Sequence, residues 1–288
     1  MLMDTSAAPA ALASHQPGGP KPGPLGLRSR GELPEVFGFH NGFGGVHTSR
    51  TMMLADLECL LSAVPPEAAR DDFRRAIVEE NALGKRTVTT RRKAAALLCH
   101  LYALDPAVPI FRALGYFWKK DPAGRPLLAL LCAAARDPIL RQTAGTVLAF
   151  APGEAVTAAD LEKAITRAAP AHFAATTLRT TAQNTASTWT QSGHLQGRRV
   201  KRRSRPQATP AATAYALLLG HLAGASGQML LTTFWARLLD VSQSEIAALA
   251  SEASVRGWIA YRQAGQVVEV RFPELLTPEE MEVRRGQD

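Results

Sequence analysis

Residues 176–205 read TTLRTTAQNTASTWTQSGHLQGRRVKRRSR, and this stretch decides the fold. Over 176–192, Leu178, Ala182, Thr185, Ala186 and Trp189 fall on one helical face. Arg179, Thr180, Gln183, Asn184, Ser187 and Gln191 fall on the other. Gly193 ends the helix, and 194–205 alternates loosely around Leu195 and Val200, as a basic hairpin or extended wing would. The helix before it is expected over 157–168, with Thr157 as cap and Asp160 in the first turn. Helix, helix, hairpin is the order of a winged helix. The order recurs over 211–273: helices at 211–223, 228–239 and 243–256, then a hairpin turning at Gln263-Ala264-Gly265. Further helical patterns begin at Thr51 and run to 149, and 51–104 has room for a third helix-turn-helix. The expected fold is mainly α: a helical protein with tandem helix-turn-helix or winged-helix-like units and short β-hairpin wings.

Charge adds a function class to that fold. From Lys163 to Arg237 the chain carries ten basic residues and no Asp or Glu, and six of the ten lie between Arg198 and Arg205. A surface that keeps cations and omits every acid suits a polyanion, because each phosphate contact releases condensed counterions. A solvated basic linker is the plain alternative, but this run also contains apolar helix faces. The expected partner is therefore double-stranded DNA. Arg179, Gln183, Asn184, Ser187 and Gln191 are the groove candidates, because Asn and Gln match adenine edges and Arg matches guanine. Arg198, Arg199, Lys201, Arg202, Arg203 and Arg205 are the phosphate candidates. Lys85, Arg86, Arg91, Arg92 and Lys93 form a second patch around a helix start capped by Thr89 or Thr90. Cations avoid that end of a helix unless something anionic compensates. Glu245, Glu252 and Glu269 sit where the second unit would meet phosphates, so packing or a partner protein is expected there.

The rest of the sequence mostly excludes. The 288 residues are 46% hydrophobic with a net charge of +8, enough for a substantial core. Residues 1–35 read as a Pro/Gly-rich disordered tail, 36–155 as an N-terminal helical domain, 156–225 as the basic winged unit and 226–288 as the C-terminal winged unit. The Phe/Gly segment from Phe37 to Gly45 lacks a phosphate-loop ending and is expected to dock the tail onto the body. Cys59, Cys99 and Cys132 are far apart in apolar runs and read as buried thiols. No spacing suggests a metal, a cofactor or a catalytic residue. The absence of a basic n-region and of a long apolar run points to the cytoplasm, with no membrane partner.

The run from Thr181 to Leu195 with its Arg/Lys wing, Ala214-Tyr215-Ala216-Leu217-Leu218-Leu219-Gly220, and Arg256-Gly257-Trp258-Ile259 with its hairpin together resemble the BrxA proteins of BREX phage-exclusion systems. The resemblance spans roughly Thr51 to Leu276. It implies a small, helical, non-enzymatic DNA-binding component with helix-turn-helix or winged-helix units. It also implies antiviral defence beside a methyltransferase, an ATPase and a phosphatase-like protein, with other BREX proteins as partners. Two alternatives stay open: an RNA-binding helical protein, and an adaptor whose basic segment docks an acidic partner.

Overall fold

The computed structural model describes residues 32–42, 45–168 and 173–286. The tail expected over 1–35 falls, as far as Gly31, outside the described residues.

Six helices come first: α1 Leu54–Ala63, α2 Arg70–Val78, α3 Val88–Tyr102, α4 Pro109–Lys120, α5 Arg125–Arg136 and α6 Pro138–Ala149. The starts of α3, α4 and α6 have plain chemical causes. Pro109 and Pro138 open α4 and α6, where a missing N–H costs nothing. Asp137 caps α6 by accepting from the N–H groups of Ile139 and Leu140 at 3.0 and 3.2 Å. Thr87, not Thr89 or Thr90, caps α3, its hydroxyl accepting from Thr90 N–H at 3.2 Å.

The centre of the molecule is α5 packed on α9, Pro210–Leu222. Residues 127–135 of α5 and 211–220 of α9 are buried on every face. Their alanines let the two backbones approach, and the leucines fill what remains. The apolar run at 126–135 is thus a core helix, and among the described residues no helix is long and apolar enough to cross a membrane. The Tyr215 hydroxyl donates to the carbonyl of Ile110 at 2.9 Å, tying α9 to α4. One cluster of buried apolar side chains runs from Phe37 to Leu276.

Both winged orders are present. The first runs α6, β1 Ala155–Val156, α7 Ala158–Ala168, α8 Ala175–Gln191, β2 Leu195–Gln196, β3 Lys201–Arg203. Its sheet order is β1-β3-β2, all antiparallel, with Val156 opposite Lys201 and Leu195 opposite Arg203. Strand β1 has no signature in the sequence; two residues are too few for a period. Thr157 and Asp160 cap α7 reciprocally, as expected. The second order runs α9, then, in place of one helix over 228–239, a 3-10 helix Gly227–Thr232 and the short α10 Phe234–Arg237, then α11 Gln243–Val255, β4 Ala260–Ala264 and β5 Val267–Arg271, and α12 Pro278–Arg285 follows. Helix α11 lies on α9, so the second unit shares its first helix with the central core.

The Phe/Gly segment docks onto the body: Phe37 and Phe39 are each 1% exposed, and the Phe39 ring lies 5.6 Å from that of Trp235. Phe43 and Gly44 lie outside the described residues. The cysteine expectation needs one correction. Cys132 is buried, and burial pushes its thiol up to about 11, but Cys99 is half-buried and Cys59 is exposed.

Candidate nucleic-acid interface

Helix α8 decides what this surface can do, and its threonines explain how it sits. Thr181, Thr185 and Thr188 are fully buried beside Ala182 and Trp189. Thr181 donates back to the Thr177 carbonyl at 2.7 Å, and Thr185 to that of Ala182 at 2.9 Å. A threonine that satisfies its hydroxyl within its own helix can face a core. The Trp189 indole N–H donates to the Thr143 hydroxyl of α6 at 2.9 Å, fixing α8 across the first helix of its unit.

The side of α8 away from the wing is fastened to a strap formed by residues 45–54. Asn184 Nδ2 donates to the His47 carbonyl at 2.9 Å. The Thr188 hydroxyl accepts from Met52 N–H at 2.9 Å and lies 2.8 Å from His47 Nε2. Gln191 Oε1 accepts from Leu54 N–H at 3.2 Å. Positions 184, 188 and 191 share one helical stripe. His47 Nδ1 lies 2.7 Å from Asp137 Oδ2, with both residues fully buried. The consistent assignment has Nδ1–H donating to Asp137 while Nε2 accepts from Thr188. Burial opposes charge on Asp137, but His47 and three backbone N–H donors outweigh it, so its carboxyl lies below the ordinary value. Gly45 is required here, since a Cβ would stand 2.3 Å from Asp137 Oδ1. Although it has the composition of a catalytic triad, this Asp–His–Thr chain is closed to solvent and fully used in packing.

What α8 leaves exposed is its N-terminal half. Thr176, Arg179, Thr180 and Gln183 are exposed, and Ser187 is half-exposed, its hydroxyl donating to the Gln183 carbonyl at 2.9 Å. Opposite stands the wing, whose tip is Gly197-Arg198-Arg199-Val200. Gly197 has φ +98, and a Cβ there would meet the Val200 carbonyl at 2.3 Å, so the turn requires glycine. Arg198 and Arg199 are exposed, and Val200 is 57% exposed. Lys201 donates to the Gly197 carbonyl and Arg202 to that of Gly153, at 2.8 and 2.9 Å. Both use one donor and keep the rest. Arg205 is exposed beyond the strand. Wing and helix enclose a cleft of about 490 Å³ lined by Gln183, Ser187, Arg198, Arg199 and Lys201.

Five residues expected to meet DNA are engaged elsewhere. Arg203 is 2% exposed and pairs with Asp240 at 2.7 Å, because strand alternation turns it inward while Arg202 faces out. Asn184 and Gln191 are engaged by the strap, which no helical periodicity within 176–192 could reveal. In the second patch, Lys85 pairs with Asp56 at 2.7 Å and Arg91 donates to the Val78 carbonyl at 3.2 Å, so both serve the fold. Arg86, Arg92 and Lys93 remain exposed. In the second unit the acids are locally occupied: Glu245 in the α11 capping box, Glu252 by Arg256, Glu269 by Arg271.

His194, which sequence reasoning passed over, joins the two winged units. Its Nε2–H donates to the Leu238 carbonyl at 2.9 Å, and Nδ1 lies 2.9 Å from the Ser192 hydroxyl. Burial pulls its pKa down to about 3, with Arg203 adding to the fall.

The elements define a mainly α-helical protein with short antiparallel wings; one of those wings and the helix beside it carry exposed cations, as do α2 and α3. No protein-family model and no curated protein matches the chain.

Proposed function

We propose that the chain is a non-enzymatic protein that binds double-stranded DNA, with the N-terminal half of α8 in the major groove and the wing on the adjacent backbone. One observation carries the reading. Gln183, Arg198 and Arg199 converge on one cleft, Arg179 stands one turn further along the exposed face of α8, and none of these side chains has a partner among the described residues. An exposed apolar residue at the wing tip, Val200, is also the kind of side chain that slips between groove walls.

The aromatic side chains favour duplex DNA over single-stranded RNA. Single-strand recognition relies on exposed aromatic platforms. Trp189, Tyr215 and Trp235 are buried, and Phe173 and Phe234 pack against the core. Fluorescence anisotropy with duplex DNA, single-stranded DNA and a hairpin RNA of equal length, at one salt concentration, separates the options. Duplex DNA should bind tightest; preference for the RNA would reverse the assignment.

The resemblance to BrxA extends the proposal to phage exclusion, alongside the methyltransferase, ATPase and phosphatase-like components of such a system. The three stretches behind it fall on α8 with its wing, on the central α9 and on the approach to the β4–β5 hairpin. In a host carrying the full system, Arg198→Ala with Arg199→Ala should restore phage plating. Undiminished exclusion would separate the defence role from this surface.

A further inference from the structure

The groove between α2 and α3 is built differently from the DNA-facing cleft. Its walls are Phe73, Ile77 and Val78 from α2 and Ala96 and Cys99 from α3, and Leu104 closes one end. The enclosed volume is about 380 Å³, within the range of roughly 300–1,000 Å³ typical of small-ligand sites. Leu104 is held there by two successive non-glycine residues in the left-handed region, Ala103 at φ 65 and Leu104 at φ 51. Such conformations persist only where the surrounding fold imposes them, so the end wall is fixed.

The rim carries the charge. Arg70 and Arg74, one turn apart on α2, and Arg92 on α3 line the groove and are exposed. The neighbouring carboxylates of Asp72 and Glu80 are both taken by Arg75. Asp71 is the remaining acid on the rim, so three cations face one anion. A duplex phosphate would gain nothing from the apolar floor. A ligand with an apolar body and one anionic head uses both features, because guanidinium groups fork a carboxylate while the body displaces water.

We propose that this groove binds a small amphipathic monoanion, an aromatic or medium-chain carboxylate. Its body lies along Val78, Ala96 and Leu104, and its carboxylate is held by Arg74 and Arg92. The proposal is independent of DNA binding.

The test uses the full chain carrying Cys59→Ser and the probe 2-naphthoate. Cys99 is then the reactive thiol, since Cys132 is buried. Binding should saturate with a Kd on the order of 1 mM or below, as expected for a ligand of this size. Arg74→Ala with Arg92→Ala should weaken it about tenfold, the neutral 2-naphthamide should bind about tenfold more weakly than the acid, and saturating probe should slow alkylation of Cys99 by N-ethylmaleimide. The comparison of acid with amide needs no variant, so it holds even if a substitution disturbs the helix pair. No saturation by about 10 mM, equal binding of acid and amide, or unprotected Cys99 at saturation would each overturn the proposal.

Discussion

Replacing His47 by Ala tests whether the strap holds the recognition helix. The imidazole joins Asp137 at 2.7 Å to Thr188 at 2.8 Å, and all three side chains are closed to solvent. Its removal strips Asp137 of its side-chain donor and Thr188 of its acceptor. Leaving a buried polar group unsatisfied by removing its hydrogen-bond partner costs about 1–3 kcal/mol, and more where the group left behind is charged. Asp137 keeps the N–H groups of residues 47, 139 and 140, but a carboxylate and a buried hydroxyl each lose a partner, so the upper end applies, about 3 kcal/mol. For a chain of this size that corresponds to a fall in Tm of roughly 6–12 °C. Thermal and urea unfolding followed by circular dichroism would measure it, with exposed Gln183→Ala as a control expected to stay within about 0.5 kcal/mol. A double-mutant cycle with Thr188→Ala should return a coupling of about 0.5–3 kcal/mol. A His47→Ala protein within about 1 kcal/mol of the parent would refute the claim that this network fastens α8.

Other outcomes follow from the same geometry. Arg203→Ala should destabilise the fold by about 3 kcal/mol by orphaning Asp240 while leaving the salt dependence of DNA binding unchanged, which unfolding and anisotropy measurements would check. Gln183→Ala should relax sequence preference by about 1–3 kcal/mol, whereas Asn184→Ala should act on stability; binding-site selection on both variants distinguishes the two. His194 has a depressed folded pKa of about 3, so the unfolded chain takes up its proton first as pH falls below the ordinary histidine value. The share of stability this group controls should be complete above about pH 6.5 and lower by about 2 kcal/mol at pH 5. Burial also lowers His40 and His100, which add to the fall, so His194→Gln should reduce the slope in urea titrations without abolishing it.

Much of this fold was legible in the chain because helix periodicity and caps are local signals. Thr157 with Asp160, Gly193 after α8 and the hairpin around Gly265 could all be read that way. What could not be read depends on distance. Residues 47 and 188 meet only after the chain has folded, so Asn184 and Gln191 looked like groove residues when each was paired with the strap. Arg203 differed from Arg202 only in strand parity, and two- or three-residue strands offer too little pattern to fix it. The acid-free run survived as an exposed cationic wing at Arg198 and Arg199, but Asp240, just beyond its end, folded back to claim one of its members.

The central claim is that α8 and the wing hold duplex DNA through the phosphates. Its most direct test is the slope of log affinity against log salt for the parent chain and for Arg198→Ala with Arg199→Ala. Each phosphate contact contributes about 0.9 to that slope, so the double variant should lose about 1.8 with its circular dichroism spectrum unchanged. An unaltered slope in a folded double variant, or no salt dependence in the parent, would contradict the assignment.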